Sequence, residues 1–249
     1  MIILKTPEEV QVMERASKLV AETLQALKRE VKPGITTDAL DRLAEEFILA
    51  RGGKPAFKGY RSYPKTLCVS VNDQVVHGIP SKRTLNEGDI VGLDLGAIVD
   101  GFYGDAAMTL AVGDIPPRVA ELLRVTEEAL YAGIGAAVTG NRLSDISHAV
   151  QSHAEAAGFS VVTDFVGHGI GRQLHEEPQV PNYGPPGQGP RLQVGMVLAI
   201  EPMVNMGRSQ VKVLEDHWTA VTVDGSLSAH FEHTIAIQPN GPPRILTKL

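Results

Sequence analysis

Apolar residues spaced three or four positions apart between Val10 and Leu27 mark one face of a first helix. Thr6 and Glu9 form a Thr-x-x-Glu capping box at its start, and Pro33-Gly34 ends it. A second helix with the same periodicity is predicted for Thr37 to Ala50. The chain therefore begins with two amphipathic helices that need an apolar surface to pack against.

Strand patterns follow the two helices, and the same order then repeats. Asp100-Gly101 is a strong signal for a two-residue hairpin turn between two long strands. A third helix opens at Pro116-Pro117 and ends by Gly140, and Ser144-Asp145 caps a fourth that stops at Gly158. The predicted strands are Thr66–Val71, Ile90–Val99, Phe102–Val112, Ser160–Phe165, Met196–Ile200, Met203–Val204, Gln210–Leu214, His217–Val223 and Ala229–Ile237.

Each half of the chain is thus helix, helix, strands, with Thr37-Asp38 and Ser144-Asp145 offset by 107 residues (144 − 37). We expect an α/β (α+β) protein with one catalytic domain, residues 1–249, made of pseudo-symmetric halves at about 1–113 and 114–249. Two such halves would leave a cleft between them, where ligands usually bind. The alternative is that helix pairs before sheets are common and no true repeat exists.

Two aspartates share one face of the predicted hairpin. With Asp100-Gly101 as the turn, opposed residue numbers sum to 201, so Asp94 faces Ala107 and Asp105 faces Gly96. The two acids are then diagonal neighbours, roughly 7–8 Å apart at the backbone. Carboxylates at that separation could share metal ions ~3.5–4 Å apart. The alternative is a solvated face that carries two unrelated acids.

Three further residues of metal-ligand type stand at positions that a fold would hold rigidly. His168 is flanked by glycines, Glu201 ends the apolar run from Met196 to Ile200, and Glu232 lies in the last strand. Strand alternation puts Glu232 on one face with His230. Taken alone, either glutamate fits an ordinary salt bridge. An oxygen-rich site with one nitrogen suits Mn, Fe, Co or Zn.

Composition narrows the choice of partners and compartment. The 249 residues carry a formal net charge of −6, and no dense Lys/Arg block indicates a specific nucleic-acid partner. Cys68 is the single cysteine, so no intramolecular disulfide can form. The N-terminus does not resemble a secretion signal, and no apolar run approaches the ~20 residues that span a bilayer. We therefore expect a cytoplasmic protein without membrane attachment.

The five residues Asp94, Asp105, His168, Glu201 and Glu232 resemble, in order and spacing, the metal ligands of type I methionine aminopeptidases. The resemblance runs from about Lys5 to Ile237. Its supporting segments are Val76–Pro80, Asp100–Asp105, Gly167–Arg172, His175–Pro178, Ile200–Met203 and Ser226–Ala229. It implies a pita-bread fold with a curved, mainly antiparallel sheet backed by four helices. It also implies two divalent metal ions (Co, Mn, Fe or Zn) and removal of initiator methionine before a small second residue.

The resemblance also implies a role for each site residue. Asp94 would chelate one metal, Asp105 and Glu232 would bridge both, and His168 and Glu201 would complete the second site. Glu201 would also carry a proton. The remaining two catalytic residues would be His175, on the scissile carbonyl, and His77, on the peptide amide. The alternative is that both histidines belong to loops that face solvent.

Four residues are expected to form the methionine pocket, namely Tyr60, Tyr63, Cys68 and Trp218. Aromatic walls and a sulfur suit a flexible thioether, although such residues could equally be core packing. The chain departs from the family pattern at Phe57, where a small cysteine is common, and at Leu174, where an aromatic is common. These two positions leave the pocket shape open.

The implied partners are the N-terminal peptides of nascent proteins, with a possible transient ribosome contact and a monomeric state. An Xaa-Pro peptidase of the same fold is the main alternative, although those enzymes usually carry an N-terminal domain and here the first helix starts at residue 7. A binding protein that kept the fold but lost catalysis, or a metal-free amidinohydrolase, would be expected to lack metal ligands. All five are present.

Overall fold

A computed structural model describes residues 1–248 of the chain. Its α-helices there are α1 (Pro7–Glu30), α2 (Thr37–Ala50), α3 (Pro117–Ala136) and α4 (Leu143–Ala156), with a short 3-10 turn at Tyr60–Ser62. The predicted capping box is present at α1, where Glu9 N donates to Thr6 Oγ1 at 3.2 Å and Thr6 N donates to Glu9 Oε2 at 3.1 Å. No helix in the described residues combines the length and apolarity needed to cross a membrane.

The strands in the described residues form three antiparallel sheets. The main sheet runs in the order β1-β4-β5-β14-β9-β7-β8, with β2 also paired to β4 and β15 to β14, and the smaller sheets are β13-β10-β6 and β11-β12-β3. The strands are β1 (Lys54–Pro55), β2 (Cys68–Val71), β3 (Gln74–Val76), β4 (Ile90–Val99), β5 (Phe102–Ala111), β6 (Ser160–Val161), β7 (Gly167–Gly169), β8 (Glu176–Val180), β9 (Val197–Ile200), β10 (Met203–Asn205), β11 (Val211–Val213), β12 (Ala220–Thr222), β13 (Ser228–His230), β14 (Glu232–Ala236) and β15 (Arg244–Ile245).

The register of the central hairpin is the predicted one. Asp94 pairs with Ala107 and Asp105 pairs with Gly96 along the β4–β5 ladder. Asp100 (φ 49°) and Gly101 (φ 79°) both lie in the left-handed region, as a two-residue type I′ turn requires. The turn therefore sets which face of the hairpin carries the two aspartates.

The predicted single strand Ala229–Ile237 is wrong, because it is interrupted at Phe231. β13 pairs with β10 in a small sheet, whereas β14 pairs with β9 in the main sheet. Phe231 N donates to the carbonyl of Pro202 at 3.3 Å, so the two paired strand segments are interrupted at the same level. Glu201 and Glu232 stand at this bend, where a strand pair passes from one sheet to another.

Two other predictions need correction. Ser144-Asp145 does not provide the N-cap of α4, because the helix begins at Leu143 and Asp145 accepts from the backbone N–H of Arg142 at 2.7 Å. The strand predicted for Ser160–Phe165 ends at Val161, and the rest is irregular. Strands β7 and β8 were not predicted, since β7 is glycine-rich and β8 contains Pro178.

Each helix pair covers its own part of the sheet with its own apolar core. In the first, Val20 and Leu40 pack with Leu93. In the second, Leu122 and Ile146 pack with Leu198. The helices thus cover one face of the main sheet, the opposite face carries Asp94, and the predicted fold class is confirmed.

Gly104 shows how closely α1 approaches the hairpin. A Cβ built at this position would lie 2.6 Å from the backbone nitrogen of Ser17 in α1. Only glycine permits that contact without displacing the helix. The close packing of α1 against β5 supports the strand from behind, so the face with Asp105 is held rigidly.

Candidate active site

The predicted site residues come together around one cavity of about 280 Å³. It lies where the hairpin β4–β5 meets the bend between the sheets. Every predicted metal-binding, catalytic and pocket residue lines it: Tyr60, Tyr63, Cys68, His77, Asp94, Asp105, His168, His175, Glu201, Trp218 and Glu232. Residues that are up to 172 positions apart in the sequence (232 − 60) therefore share one small volume.

The two hairpin acids are joined to Glu232 through the sheet. Thr234 Oγ1 donates to the carbonyl of Asp105 at 2.7 Å, and Asp105 N donates to Thr234 Oγ1 at 3.3 Å. Glu232 is paired in register with Ala107, the residue opposite Asp94. Backbone pairing thus aims three carboxylates at the same space.

His168 is oriented by the backbone of the next residue in β7. Its Nδ1 lies 2.9 Å from the carbonyl of Gly169, which assigns the ring proton to Nδ1. Nε2 then faces the acids, 3.6 Å from Glu201 Oε1 and 3.9 Å from Asp105 Oδ2. Donor atoms of Asp105, His168 and Glu232 all lie within 4.8 Å of one another. This spacing allows one cation to contact all three.

Burial shifts the pKa values of the acid cluster upward. It raises the pKa of Asp94 to about 7 and that of Glu201 to about 8. Burial, and then the negative charges of the neighbouring acids, raise the pKa values of Asp105 and Glu232 well above their usual range. Without cations, the cluster therefore holds protons at neutral pH. Burial also lowers the pKa of His168 to about 3, so its imidazole is neutral and can act as a ligand.

Several polar atoms of the cluster have no hydrogen-bond partner in the described residues. They include the buried Asp94 Oδ1, Asp105 Oδ1 and Glu232 Oε1. Buried polar atoms normally have partners, and buried carboxylates are normally paired or bound to a metal. The unpartnered oxygens and the neutral imidazole fit divalent cations. Their number and identity do not follow from this geometry.

His77 and His175 line the same cavity. His77 adopts φ 61° and packs edge-on against Phe165, with ring centroids 5.4 Å apart. His175 lies near the mouth, with its ring centroid 4.3 Å from that of His168 and its Nδ1 2.8 Å from the Tyr60 hydroxyl. Burial lowers the pKa of His77 to about 4 and, less strongly, that of His175. Both rings are therefore neutral. Because both line the cavity, neither histidine belongs to a loop that faces only solvent.

The aromatic pocket forms one wall of the cavity. Tyr63 packs edge-on against Trp218 at 5.0 Å between centroids, and its hydroxyl donates to the carbonyl of Gly78 at 3.0 Å. Burial raises the pKa of the Cys68 thiol well above its usual range, so it remains a neutral, apolar group. Phe57 and Leu174, the two departures from the family pattern, are buried and line the cavity as well.

Sequence patterns indicated no role for Phe165 and Arg61, which line the cavity, or for His230, which lies beside Glu201. Phe165 was assigned to a strand, but it stands in an irregular segment and forms part of the cavity wall. His230 was placed on the same face as Glu232 without a role, and its Nε2 lies 3.6 Å from Glu201 Oε2. Strand alternation was the available signal for His230, whereas no sequence signal marked Phe165.

A larger cavity of about 830 Å³ lies between α1 and α3. Its rim includes the exposed basic residues Lys28 and Arg29, and of the five predicted metal ligands only Glu232 borders it. The convergence of donor atoms, rather than volume, identifies the smaller cavity as the candidate active site.

Comparison with known proteins assigns the family. The family model described as metallopeptidase family M24 matches residues 11–239. The chain belongs to metallopeptidase family M24. A curated protein named methionine aminopeptidase from Clostridium perfringens is 57% identical over 247 residues, which cover 99% of each chain. The crystal structure of methionine aminopeptidase from Thermotoga maritima has a TM-score of 0.98 and 52% identity, with all of both chains covered. The resemblance drawn from the sequence motifs is confirmed.

The same fold also occurs in proline peptidases. The structure of a prolidase from Pyrococcus furiosus has a TM-score of 0.81 and 24% identity, and it covers 99% of this chain and 66% of the prolidase. At that identity the likeness concerns the fold alone. The comparisons therefore favour the methionine aminopeptidase reading of this metallopeptidase over the Xaa-Pro alternative.

Proposed function

We propose that the protein is a metal-dependent aminopeptidase that removes the initiator methionine from polypeptides with a small second residue. The observation that carries this proposal is the meeting, in one cavity of about 280 Å³, of a metal-donor cluster and an apolar aromatic pocket. The first can activate water for hydrolysis, and the second can hold a thioether side chain.

Two divalent ions would be held by the five predicted ligands. By the family resemblance, Asp105 and Glu232 would serve both ions, Asp94 would serve one, and His168 with Glu201 would serve the other. When bound, such ions lower the pKa of a coordinated water toward neutrality and polarise a carbonyl group. Co, Mn, Fe and Zn all suit oxygen ligands with one imidazole.

The protein's own groups would position the substrate and move protons. Glu201, with one carboxylate oxygen 3.6 Å from His168 Nε2, would take a proton from the attacking water and pass it to the departing amine once metal binding has ionised it. Because the Nδ1 of His175 is engaged by the Tyr60 hydroxyl, its Nε2 is the nitrogen available to the scissile carbonyl. His77, held against Phe165, would contact the peptide amide.

The methionine side chain would lie against Tyr63, Cys68 and Trp218. The buried, neutral thiol and the edge-packed rings give an apolar wall without an unsatisfied charge. Phe57 and Leu174 also line this cavity of about 280 Å³. A branched or long second residue would have little room beside the methionine in so small a space, so small second residues are expected to be preferred.

The test is hydrolysis of a peptide panel by protein that has been stripped with chelator and reconstituted with Mn²⁺ or Co²⁺. We expect cleavage of Met-Ala-Ser, much slower cleavage of Met-Lys-Ser, and none of Ala-Pro. Asp105→Ala should abolish turnover, whereas Asp100→Asn, a change at the exposed hairpin turn, should not. Preferred cleavage of Ala-Pro would instead support the Xaa-Pro alternative, and peptide binding without cleavage would support a non-catalytic protein.

Action on nascent chains in the cytoplasm, a transient ribosome contact and a monomeric state stay predictions. They follow from the substrate proposed here, since initiator methionine is exposed as a chain emerges from the ribosome.

A further inference from the structure

A second cavity adjoins the active site. It has a volume of about 500 Å³ and shares Arg61, His168 and His175 with the active-site cavity. Its other walls include the exposed side chains of Gln173 and Glu177. If the first residue of a peptide occupies the aromatic pocket, the following residues have a path past Arg61 into this second cavity.

Arg61 is presented by a constrained turn. Its backbone lies in the left-handed region (φ 46°, ψ 33°), and the next residue, Ser62, also has a positive φ of 71°. Backbone hydrogen bonds from Gly59 N to Tyr63 O and from Tyr63 N to Tyr60 O, both 2.8 Å, close the turn. Non-glycine residues rarely adopt this conformation, and where they do they cluster at ligand sites. The turn fixes the base of the Arg61 side chain at the junction of the two cavities.

The charge of Arg61 has no counter-ion in the described part of the chain. No carboxylate there forms an ion pair with its guanidinium, in contrast to other arginines such as Arg15 and Arg172. Glu176, which borders the second cavity, is already paired with Lys5 Nζ at 2.5 Å. The positive charge of Arg61 also acts on the active-site cavity, because it adds to the effect of burial in lowering the pKa of His175.

We infer that Arg61 forms a carboxylate-binding subsite for the substrate residues that follow the second one. This inference rests on the proposed aminopeptidase function and adds a preference within it. The guanidinium fork matches a carboxylate, which can come from an Asp or Glu side chain or from the free C-terminus of a short peptide. Glu177 lines the second cavity but not the active-site cavity, and its negative charge would repel a substrate carboxylate there. An acidic residue should therefore be favoured next to Arg61 and lose its advantage farther along the peptide.

The test compares kcat/KM for C-terminally amidated peptides that differ by one charge. Met-Ala-Asp-Phe-Gly-amide is compared with the isosteric Met-Ala-Asn-Phe-Gly-amide, and the Asp is then moved to the fourth and fifth positions of this five-residue peptide. For the wild-type protein we expect a two- to five-fold advantage of Asp over Asn, the size of a partly exposed ion pair. The advantage should shrink as salt is raised. Free-acid and amidated Met-Ala-Asn separate the C-terminal carboxylate from the side-chain carboxylate.

Arg61→Gln should remove the Asp advantage, and Arg61→Lys should keep part of it. The matched control is Arg51→Gln, which removes one positive charge from an exposed arginine paired with Glu22, outside both cavities. It should leave the ratio unchanged. Cleavage of the Asp and Asn peptides at equal rates at every position would overturn the subsite and leave the proposed function standing. Failure to cleave any Met-Ala peptide would overturn the proposed function itself.

Discussion

Replacing Asp94 with Asn should stabilise the metal-free protein at alkaline pH while it removes a metal ligand. The carboxylate has a usual pKa of 3.8 and a folded-state pKa of about 7, raised chiefly by burial. Between these values the folded protein binds the proton more tightly than the unfolded chain does. The stability of the metal-free protein therefore falls as pH rises through this window.

The size of the effect follows from the two pKa values. Because one pKa unit corresponds to about 1.4 kcal/mol, the difference between the two pKa values lowers the unfolding free energy by about 2 kcal/mol at pH 5, where only the unfolded chain is ionised, and by about 4 kcal/mol at pH 8. Asparagine avoids this cost, but its buried amide has its own pH-independent penalty of about 1–3 kcal/mol. The stability of Asp94→Asn relative to wild type should therefore rise by about 2–3 kcal/mol from pH 5 to pH 8.

Thermal unfolding in chelator measures this difference. A change of about 2–3 kcal/mol corresponds to a relative Tm shift of roughly 4–12 °C for a chain of this size. The control is Asp100→Asn on the same hairpin, an exposed acid paired with Arg15, which should show no such pH dependence. Saturating Mn²⁺ should reverse the order, since ligand at 100 times its Kd adds about 2.7 kcal/mol to the wild type. A relative stability that is the same at pH 5 and pH 8 would refute the claim that a buried charge destabilises the empty site.

Three further outcomes follow from the packing around the site. In thermal melting, Gly104→Ala should lower the unfolding free energy by about 1–3 kcal/mol, because the added Cβ would meet the backbone of α1. The control Gly135→Ala adds its Cβ in open space on α3 and should raise Tm slightly. Thr234→Val should weaken Mn²⁺ affinity about ten-fold by calorimetry, since its hydroxyl binds the Asp105 backbone; unchanged affinity would count against that support. Mn²⁺ binding at pH 7 should release protons, seen as a heat that depends on the buffer, because burial holds Glu201 protonated; no release would contradict the assigned pKa direction.

The parts of the fold that were predictable depend on local chemistry. Asp100-Gly101 determines its own turn type, and the turn determines the register of the whole hairpin, so the diagonal placement of Asp94 and Asp105 could be derived residue by residue. The start of α1 was equally local, since Thr6 and Glu9 satisfy each other.

The parts that were missed depend on tertiary contacts. No glycine or proline beside Phe231 indicates a bend in the sequence. The bend arises because Pro202 interrupts the partner strand at the same level. Phe165 borders the cavity only because the chain leaves its sheet after Val161. The two short strands β7 and β8 exist through pairing with each other and with β9, which a single-sequence pattern does not reveal. The boundary of the two halves near residue 113 stays a prediction.

Anomalous X-ray scattering from crystals of the Mn²⁺-loaded protein tests whether the five predicted ligands hold two metal ions. We expect two anomalous peaks in the 280 Å³ cavity, each in contact with carboxylate oxygens of Asp105 and Glu232, and one also in contact with His168 Nε2. Peaks elsewhere, or a cavity that contains only water at saturating Mn²⁺, would contradict it.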